Sequence, residues 1–388
     1  MFIKNTILDT NVIIDYPKSL MEYDNVIVPY VILEELDKLN HFSKSRTTKY
    51  QARKARDYIY NNNITCKKLI DTFDENYYTD DILVGLSQTS QYKVITGDLL
   101  MYLKGKSLGG DIELYKRDTD TYTGVKTMML DQDIIDTVYE KGIAKTYSTE
   151  LFENQFIEII NSPLSVRYKD GYLFKVDRNK KLDDLHKLNR RQCMALDLLY
   201  DKDVQVVCLW GTAGTGKTAI SIKSALRMVK NGDYGQVMVS RPMIQDGSKE
   251  EKLGTLPGDK YEKTAPFTMP FKDNMKHMQY SECDFPDVQP LTTVKGRSIE
   301  DTIYIIDESQ DIPPEKMPKL VERMGRNSKL IITGDPRQID NKNLNESYNG
   351  ISFLCNSLKG QKAFGCVQLD KNERKGASLL GDILRDKL

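Results

Sequence analysis

Gly211-Thr-Ala-Gly-Thr-Gly-Lys-Thr218 fits the pattern G-x-x-x-x-G-K-[ST] at every fixed position, and the residues on either side decide the fold. An apolar strand-like run, Val204-Gln-Val-Val-Cys-Leu-Trp210, leads into it, and a helix-like run, Ala219-Ile-Ser-Ile-Lys-Ser-Ala-Leu226, leads away. Strand, glycine-rich loop and helix in that order form a cradle for a triphosphate. The glycines let backbone N–H groups turn inward, and the helix N-terminus adds a field that favours negative charge. Gly211, Thr212, Ala213, Gly214, Thr215, Gly216, Lys217 and Thr218 are therefore the expected nucleotide contacts. Lys217 would reach the β- and γ-phosphates, and the Thr218 hydroxyl would hold Mg²⁺. The implied cofactors are ATP and Mg²⁺ or Mn²⁺, in an α/β fold.

Two downstream strands suggest hydrolysis. Asp301-Thr-Ile-Tyr-Ile-Ile-Asp-Glu-Ser-Gln-Asp311 is a β-rich run ending in two carboxylates. The first acid, Asp307, suits the metal, and the next, Glu308, suits the attacking water. Lys329-Leu-Ile-Ile-Thr-Gly-Asp335 ends at Gly334-Asp-Pro-Arg-Gln338, where Gln338 would sense the γ-phosphate. Taken alone, either strand is equally a core strand with a polar end.

Composition narrows the class. At 388 residues the chain should hold two or three domains, and its formal net charge of zero points to no partner. Locally, Lys38 to Arg56 carries seven Lys/Arg and no acid, interleaved with Phe42 and Tyr50. This is either a solvated helix face or a phosphate-binding patch. Six cysteines at 66, 193, 208, 283, 355 and 366, with no C-x-x-C and three histidines, exclude the usual zinc spacings and imply reduced thiols. The longest uncharged run, Val204 to Gly216, has 13 residues, too short to span a bilayer. Met1-Phe-Ile-Lys4 passes directly into a strand-like segment without a secretion signal. The expectation is a cytoplasmic protein with no membrane partner.

Residues 1–110 alternate strands (Thr6–Asp9, Asn25–Pro29, Lys93–Thr96) with helices (Val31–Leu39, Lys49–Tyr60, Asp80–Thr89), which implies a small parallel-sheet domain. Residues 111–184 form a β-rich connector with a helix over Asp131–Lys141, a hairpin turning at Lys169-Asp-Gly171 and a charged linker from Val176 to Asp184. Residues 185–388 form the P-loop domain. In a parallel sheet the carboxyl ends of the strands share one crevice. Asp9 and Asp98 follow strands, and Glu35 and Asp80 lie on helices that would bring them alongside. Such a cluster cannot stay ionised without a cation, and oxygen donors favour Mg²⁺ or Mn²⁺. An ion there would activate water at a phosphodiester. Each acid singly also has a structural reading as a cap, a turn residue or a solvated face.

The first domain resembles the PIN nuclease family in Leu8-Asp-Thr-Asn-Val-Ile-Ile14, Val28-Pro-Tyr-Val-Ile-Leu-Glu-Glu-Leu-Asp-Lys38, Thr79-Asp-Asp-Ile-Leu83 and Ile95-Thr-Gly-Asp98. The resemblance implies a metal-dependent ribonuclease using Asp9, Glu35, Asp80 and Asp98, with Asp81 and Glu34 as alternates for their neighbours. Gly97 stands where many members carry a polar residue. The second domain resembles the PhoH family in Ser240-Arg-Pro242, Gly254-Thr-Leu-Pro-Gly-Asp259, Lys295-Gly-Arg297, Ile305-Ile-Asp-Glu-Ser-Gln310 and Thr333-Gly-Asp-Pro-Arg-Gln338. This implies a RecA-like NTPase core. Asn189-Arg-Arg-Gln192 is similar to the adenine-contacting motif of superfamily 1 helicases, which points to Gln192. Leu369-Asp-Lys-Asn-Glu-Arg374 fits the family's closing arginine motif loosely and offers Arg374 as a phosphate contact.

The fusion of these two families implies ATP-dependent RNA unwinding coupled to RNA cleavage, with single-stranded RNA as the bound partner. Motors of this kind place nucleotide between two cores with an arginine supplied across the interface. A single P-loop core therefore implies a homo-oligomer, such as a hexameric ring, with Arg374, Arg241 or Arg297 donated in trans. The alternatives are an ATPase whose PIN domain only binds nucleic acid, and a nucleotide switch without turnover.

Overall fold

Short apolar runs that end in polar residues become parallel strands. The computed structural model describes residues 4–43, 46–69, 78–115, 121–160, 162–179, 181–182, 188–242, 286–291, 298–341 and 344–373. The chain divides into two units, Met1–Thr119 and Asp120–Leu388. The first runs β1 (Asn5–Leu8), α1 (Thr10–Asp15), β2 (Ile27–Pro29), α2 (Tyr30–Phe42), α3 (Arg46–Asn61), β3 (Thr65–Lys67), α4 (Thr79–Ser87), β4 (Tyr92–Thr96), α5 (Leu99–Ser107) and β5 (Ile112–Leu114). Strands order as β1-β4-β5 and β2-β3, all parallel, and a bridge between Thr6 and Val26 joins the two sets. Helices cover the sheet, so Ile7, Leu8, Val94 and Ile95 are fully buried, as parallel strands require. Helix α3 shows the 3.6-residue period: Ala52, Ala55 and Ile59 pack inward while Arg53, Lys54 and Arg56 face solvent.

The second unit begins with β6 (Val125–Met128), α6 (Gln132–Lys141), β7 (Ile143–Lys145), β8 (Phe156–Ile159), β9 (Ser165–Lys169) and β10 (Tyr172–Lys175). These strands form a sheet of order β6-β8-β9-β10-β7. The expected hairpin is β9–β10, and Asp170 (φ 50°) and Gly171 (φ 83°) supply the two left-handed positions its tight turn demands. Beyond it, Val176 and Leu182, which the charged composition suggested as linker, are buried in the main core.

The P-loop domain comprises α7 (Arg190–Tyr200), β11 (Val206–Trp210), α8 (Lys217–Lys230), β12 (Gln236–Arg241), β13 (Asp287–Pro290), β14 (Thr302–Ile306), α9 (Met317–Val321), β15 (Lys329–Gly334), α10 (Gly350–Leu358) and β16 (Phe364–Gln368). Its six strands are all parallel in the order β13-β12-β14-β15-β11-β16. That order carries the residues following β11, β12, β14 and β15 to one edge of the sheet, where α/β folds bind ligands. At the opposite edge the buried Lys329 ammonium donates to the carbonyls of Asp201 (2.7 Å) and Val204 (2.6 Å).

The connector sheet is wired to this domain. Arg167 of β9, almost fully buried, donates to Asp197 (3.0 Å) and Asp201 (2.8 Å) near the end of α7, and to Asn154 Oδ1 (2.5 Å). Asn154 in turn donates to the carbonyls of Lys362 (2.9 Å) and Phe364 (2.8 Å). The cysteines are less scattered than their spacing implies. Cys208, Cys355 and Cys366 converge with Sγ atoms within 4.8 Å of one another, all buried in one apolar cluster with Trp210. They pack there as small apolar side chains.

Candidate functional site

The P-loop is braced from both sides. Asn189 caps α7 and forms a reciprocal capping box with Gln192: Gln192 N–H donates to Asn189 Oδ1 (2.9 Å), and Asn189 N–H to Gln192 Oε1 (3.0 Å). Gln192 Nε2 then donates to the Thr215 carbonyl (3.1 Å). The carboxamide proposed for adenine thus also ties α7 to the phosphate loop. On the other side, Leu369 N–H donates to the Trp210 carbonyl (2.7 Å) and Glu373 N–H to the Gly214 carbonyl (2.9 Å). Gly211 sits at φ 146°, and a Cβ there would lie 2.0 Å from the Leu369 carbonyl oxygen, so only glycine fits. Arg374 follows Glu373 but lies outside the described residues, as do Gly254–Asp259 and Lys295–Arg297.

Lys217 folds back onto the loop, its ammonium donating to the carbonyls of Gly211 (2.5 Å) and Thr212 (2.9 Å). Thr218 Oγ1 stands 3.4 Å from both carboxylate oxygens of Asp307. Asp307 is buried beyond β14, and the Thr333 hydroxyl donates to its Oδ1 (2.5 Å). A hydroxyl facing a carboxylate beside a phosphate cradle is a donor set that suits Mg²⁺, which keeps most of its shell as water and phosphate oxygen. Glu308 follows in a left-handed backbone conformation (φ 52°, ψ 40°), sparsely populated for a non-glycine residue. It accepts from Arg241 Nη2 (2.8 Å) and from Gln310 Nε2 (2.8 Å). Arg241, a candidate trans donor, thus pairs with an acid of its own chain.

Gln310 is the hub at this edge. Its Nε2 also donates to the Gln338 carbonyl (2.9 Å), and its Oε1 accepts from Asp335 N–H (3.1 Å). A Cβ at Gly334 would meet that Oε1 at 2.1 Å. Gln338 is linked toward Glu308 through Gln310, which donates to its backbone carbonyl, while its side chain donates to Asp335 Oδ2 (2.6 Å).

In the N-terminal unit Asp9 immediately follows β1, and its N–H donates to Ile95 O (2.8 Å). Its carboxylate accepts from Thr96 Oγ1 (2.7 Å). Burial pushes the Asp9 carboxyl up to about 6, against the Thr96 hydrogen bond and with the help of the Asp80 and Glu35 charges. Asp80 is raised too, by burial first and then by Asp98 and Asp81. Glu35 accepts from the Thr10 hydroxyl (2.6 Å) and bears on the Asp9 carboxyl through its charge. Asp98 caps α5, with Oδ1 accepting from Leu100 N–H (2.7 Å) and Met101 N–H (3.0 Å). Asp81 forms an ion pair with Lys104, and this turns it to a separate partner. Asp9 feels the charges of Asp80 and Glu35, and Asp80 that of Asp98, so the four hard oxygen donors share one electrostatic neighbourhood, although no three acids among the described residues bring carboxylate oxygens within 4.8 Å of one another.

The sequence profile of the PhoH-like protein family matches residues 184–384, just over half the chain, and a PIN domain profile matches residues 6–102. The chain belongs to the PhoH-like protein family. Its N-terminal PIN domain makes it a PIN–PhoH fusion, and relatives share the full architecture. It is similar to Protein PhoH2 of Bacillus subtilis, 28% identical over 97% of this chain and 99% of that one. It is also similar to Protein PhoH2 of Thermobispora bispora, 25% identical over 98% and 96%. The PhoH-like protein of Bacillus subtilis is 34% identical over 42% of this chain and 52% of its own. The fold class is thus a PIN domain with a parallel sheet followed by a PhoH-like P-loop domain. No helix among the described residues is long and apolar enough to cross a membrane.

Several site residues of the PIN–PhoH fusion are invisible to motif reading. Thr96, Thr10 and Asn11 orient the PIN acids, and Asn11 Oδ1 accepts from Gly97 N–H (3.1 Å). A Cβ at Gly97 would approach that oxygen to 3.2 Å, which accounts for glycine at a position often polar. Thr333, Gln310 and Arg241 do the same for the PhoH-like acids. For all of these but Arg241 the signal available was a polar residue one or two positions from a motif acid.

Proposed function

We infer that the PhoH-like domain hydrolyses ATP to remodel single-stranded RNA, and that the PIN domain cleaves RNA with a divalent cation. The observation that carries the first part is the facing pair Thr218 and Asp307 at 3.4 Å beside the phosphate loop, with Glu308 next in the chain. Lys217 exchanges its loop carbonyls for the β- and γ-phosphates, a charge-assisted gain. Glu308, once free of its partners, orients the water in line with the γ-phosphate. Mg²⁺ bound by Thr218 and Asp307 would neutralise charge developing on the phosphates.

The second part rests on the four PIN acids and the raised Asp9 carboxyl. RNA rather than DNA follows from the family resemblance, a cytoplasmic location from the reduced cysteines, and a homo-oligomeric ring from the single P-loop core. The exposed cations of α3, Arg53, Lys54 and Arg56, favour one alternative, a PIN domain that grips phosphates without cutting them. The deciding experiment measures ATP hydrolysis with and without single-stranded RNA and scores cuts in the same tube. RNA-stimulated turnover with Mn²⁺-dependent cuts supports the reading. Stimulated turnover with intact RNA leaves the binding module, and turnover indifferent to RNA overturns both.

The PIN site also predicts a pH dependence. A carboxyl raised to about 6 is protonated below that pH and ionised above it, so protons compete with the cation below about 6. Apparent Mn²⁺ affinity at this site should weaken by about fivefold on descending from pH 6 to 5, and flatten above 6.5. Titration calorimetry on Glu308→Gln protein with nucleotide omitted would read this. Affinity constant from pH 5 to 7 would exclude Asp9 as a ligand.

A further inference from the structure

Both oxygens of the Glu308 carboxylate are in use. Arg241 Nη2 donates to Oε1 and Gln310 Nε2 to Oε2, each at 2.8 Å. Each carboxylate oxygen keeps a second lone pair, but the cationic Arg241 donor lowers the basicity of the group and the two bonds together fix its orientation, so the arrangement is a resting one. The two holders differ. Gln310 is fixed by two further bonds, to the Gln338 carbonyl and from Asp335 N–H. Arg241 finds in Glu308 its partner among the described residues, and both side chains are about one-third exposed, 31% and 35%. The strand register sets the contact: β12 lies beside β14, Ser240 opposes Ile306, and Asp307 N–H donates to Ser240 O (2.9 Å), so Arg241, the residue after Ser240, comes within reach of Glu308, two residues beyond Ile306.

A guanidinium about one-third exposed on a single carboxylate is a replaceable partner. Phosphate oxygens accept the same planar fork, often bidentately, and a polynucleotide presents them in series. We propose that Arg241 is a positioning residue that restrains Glu308 until a polynucleotide phosphate takes its guanidinium. Binding of the strand then frees Glu308 for water, and ATP turnover becomes dependent on RNA. No covalent step is involved, only an exchange of hydrogen-bond partners. This rests on the proposed RNA-stimulated ATPase and names the residue that would couple the strand to the chemistry. The γ-phosphate of ATP offers the same chemistry from a second source, and the experiment separates the two.

The test uses the full chain, MgATP and poly(U), comparing wild type with Arg241→Ala, Arg241→Gln and Arg241→Lys. For the Ala and Gln variants, RNA-free turnover should rise about fivefold, what an ion pair at the strong end of the exposed range can hold back. Their stimulation ratio should approach one, with KM for ATP within about twofold of wild type. Arg241→Lys, which keeps the charge but not the fork, should give an intermediate ratio. A stimulated wild type whose Ala and Gln variants keep its ratio overturns this assignment alone. So does a variant in which KM for ATP climbs tenfold and turnover falls, because Arg241 then serves the γ-phosphate. A wild type that hydrolyses ATP but ignores poly(U) overturns the proposed function as well.

Discussion

Glu308→Gln is expected to lower ATP turnover about a thousandfold while ATP binding survives. Glutamine keeps the shape and the hydrogen-bond reach of the side chain but can no longer accept a proton from water, so the loss falls on the chemical step. Binding should survive because, in the proposed function, the contacts that would grip the triphosphate come from Gly211 to Thr218 and from Asp307. Trp210, the single tryptophan, lies directly before Gly211 and reports nucleotide binding through its emission. Lys217→Ala is the contrasting variant: the ammonium that now rests on the Gly211 and Thr212 carbonyls disappears, and binding itself should weaken. Turnover by Glu308→Gln within tenfold of wild type would remove Glu308 from the water and leave a nucleotide switch as the better account.

How far the chain could be read in advance follows from the range of the interactions involved. The strand before Gly211, the helix after Thr218 and the acids ending β14 are local: a few consecutive residues set them, and their order along the chain sets the sheet edge they share. The hairpin at Asp170-Gly171 was legible for the same reason, since two left-handed positions need particular residues. What stayed hidden depends on packing between distant segments. Asp80 and Asp81 are adjacent, and only the rotation of α4 against α5 decides that Lys104 takes Asp81 and leaves Asp80 toward Asp98. Arg241 and Glu308 are 67 positions apart, so no spacing rule pairs them. Cys208, Cys355 and Cys366 meet because β11 lies beside β16 under α10, against the impression given by their positions in sequence. The connector reads as charged and β-rich, yet Arg167 and Asn154 bind it to α7 and to the segment around β16, and composition carries no trace of that wiring.

Asp9→Asn should abolish metal-dependent RNA cleavage and leave ATP turnover within about twofold of wild type. Even residues one step removed from a metal typically contribute ten- to hundredfold, so loss of a direct oxygen donor should cost at least about a hundredfold in cleavage. Misfolding is an unlikely confounder on the sign of the Asp9 shift. Its carboxyl is raised to about 6 in the fold against 3.8 outside it, so without metal the fold loses stability as pH rises from 3.8 through 6. Asparagine removes that charge and retains an oxygen for the Thr96 hydroxyl, which now donates at 2.7 Å. At pH 7 without metal the variant PIN domain should therefore be at least as protected from hydrogen exchange along β1 and β4 as wild type. A variant that is well protected, hydrolyses ATP and no longer cuts RNA places cleavage at the Asp9 cluster. A variant that still cuts moves the nuclease elsewhere and leaves the PIN domain, with its Arg53, Lys54 and Arg56 face, as an RNA grip.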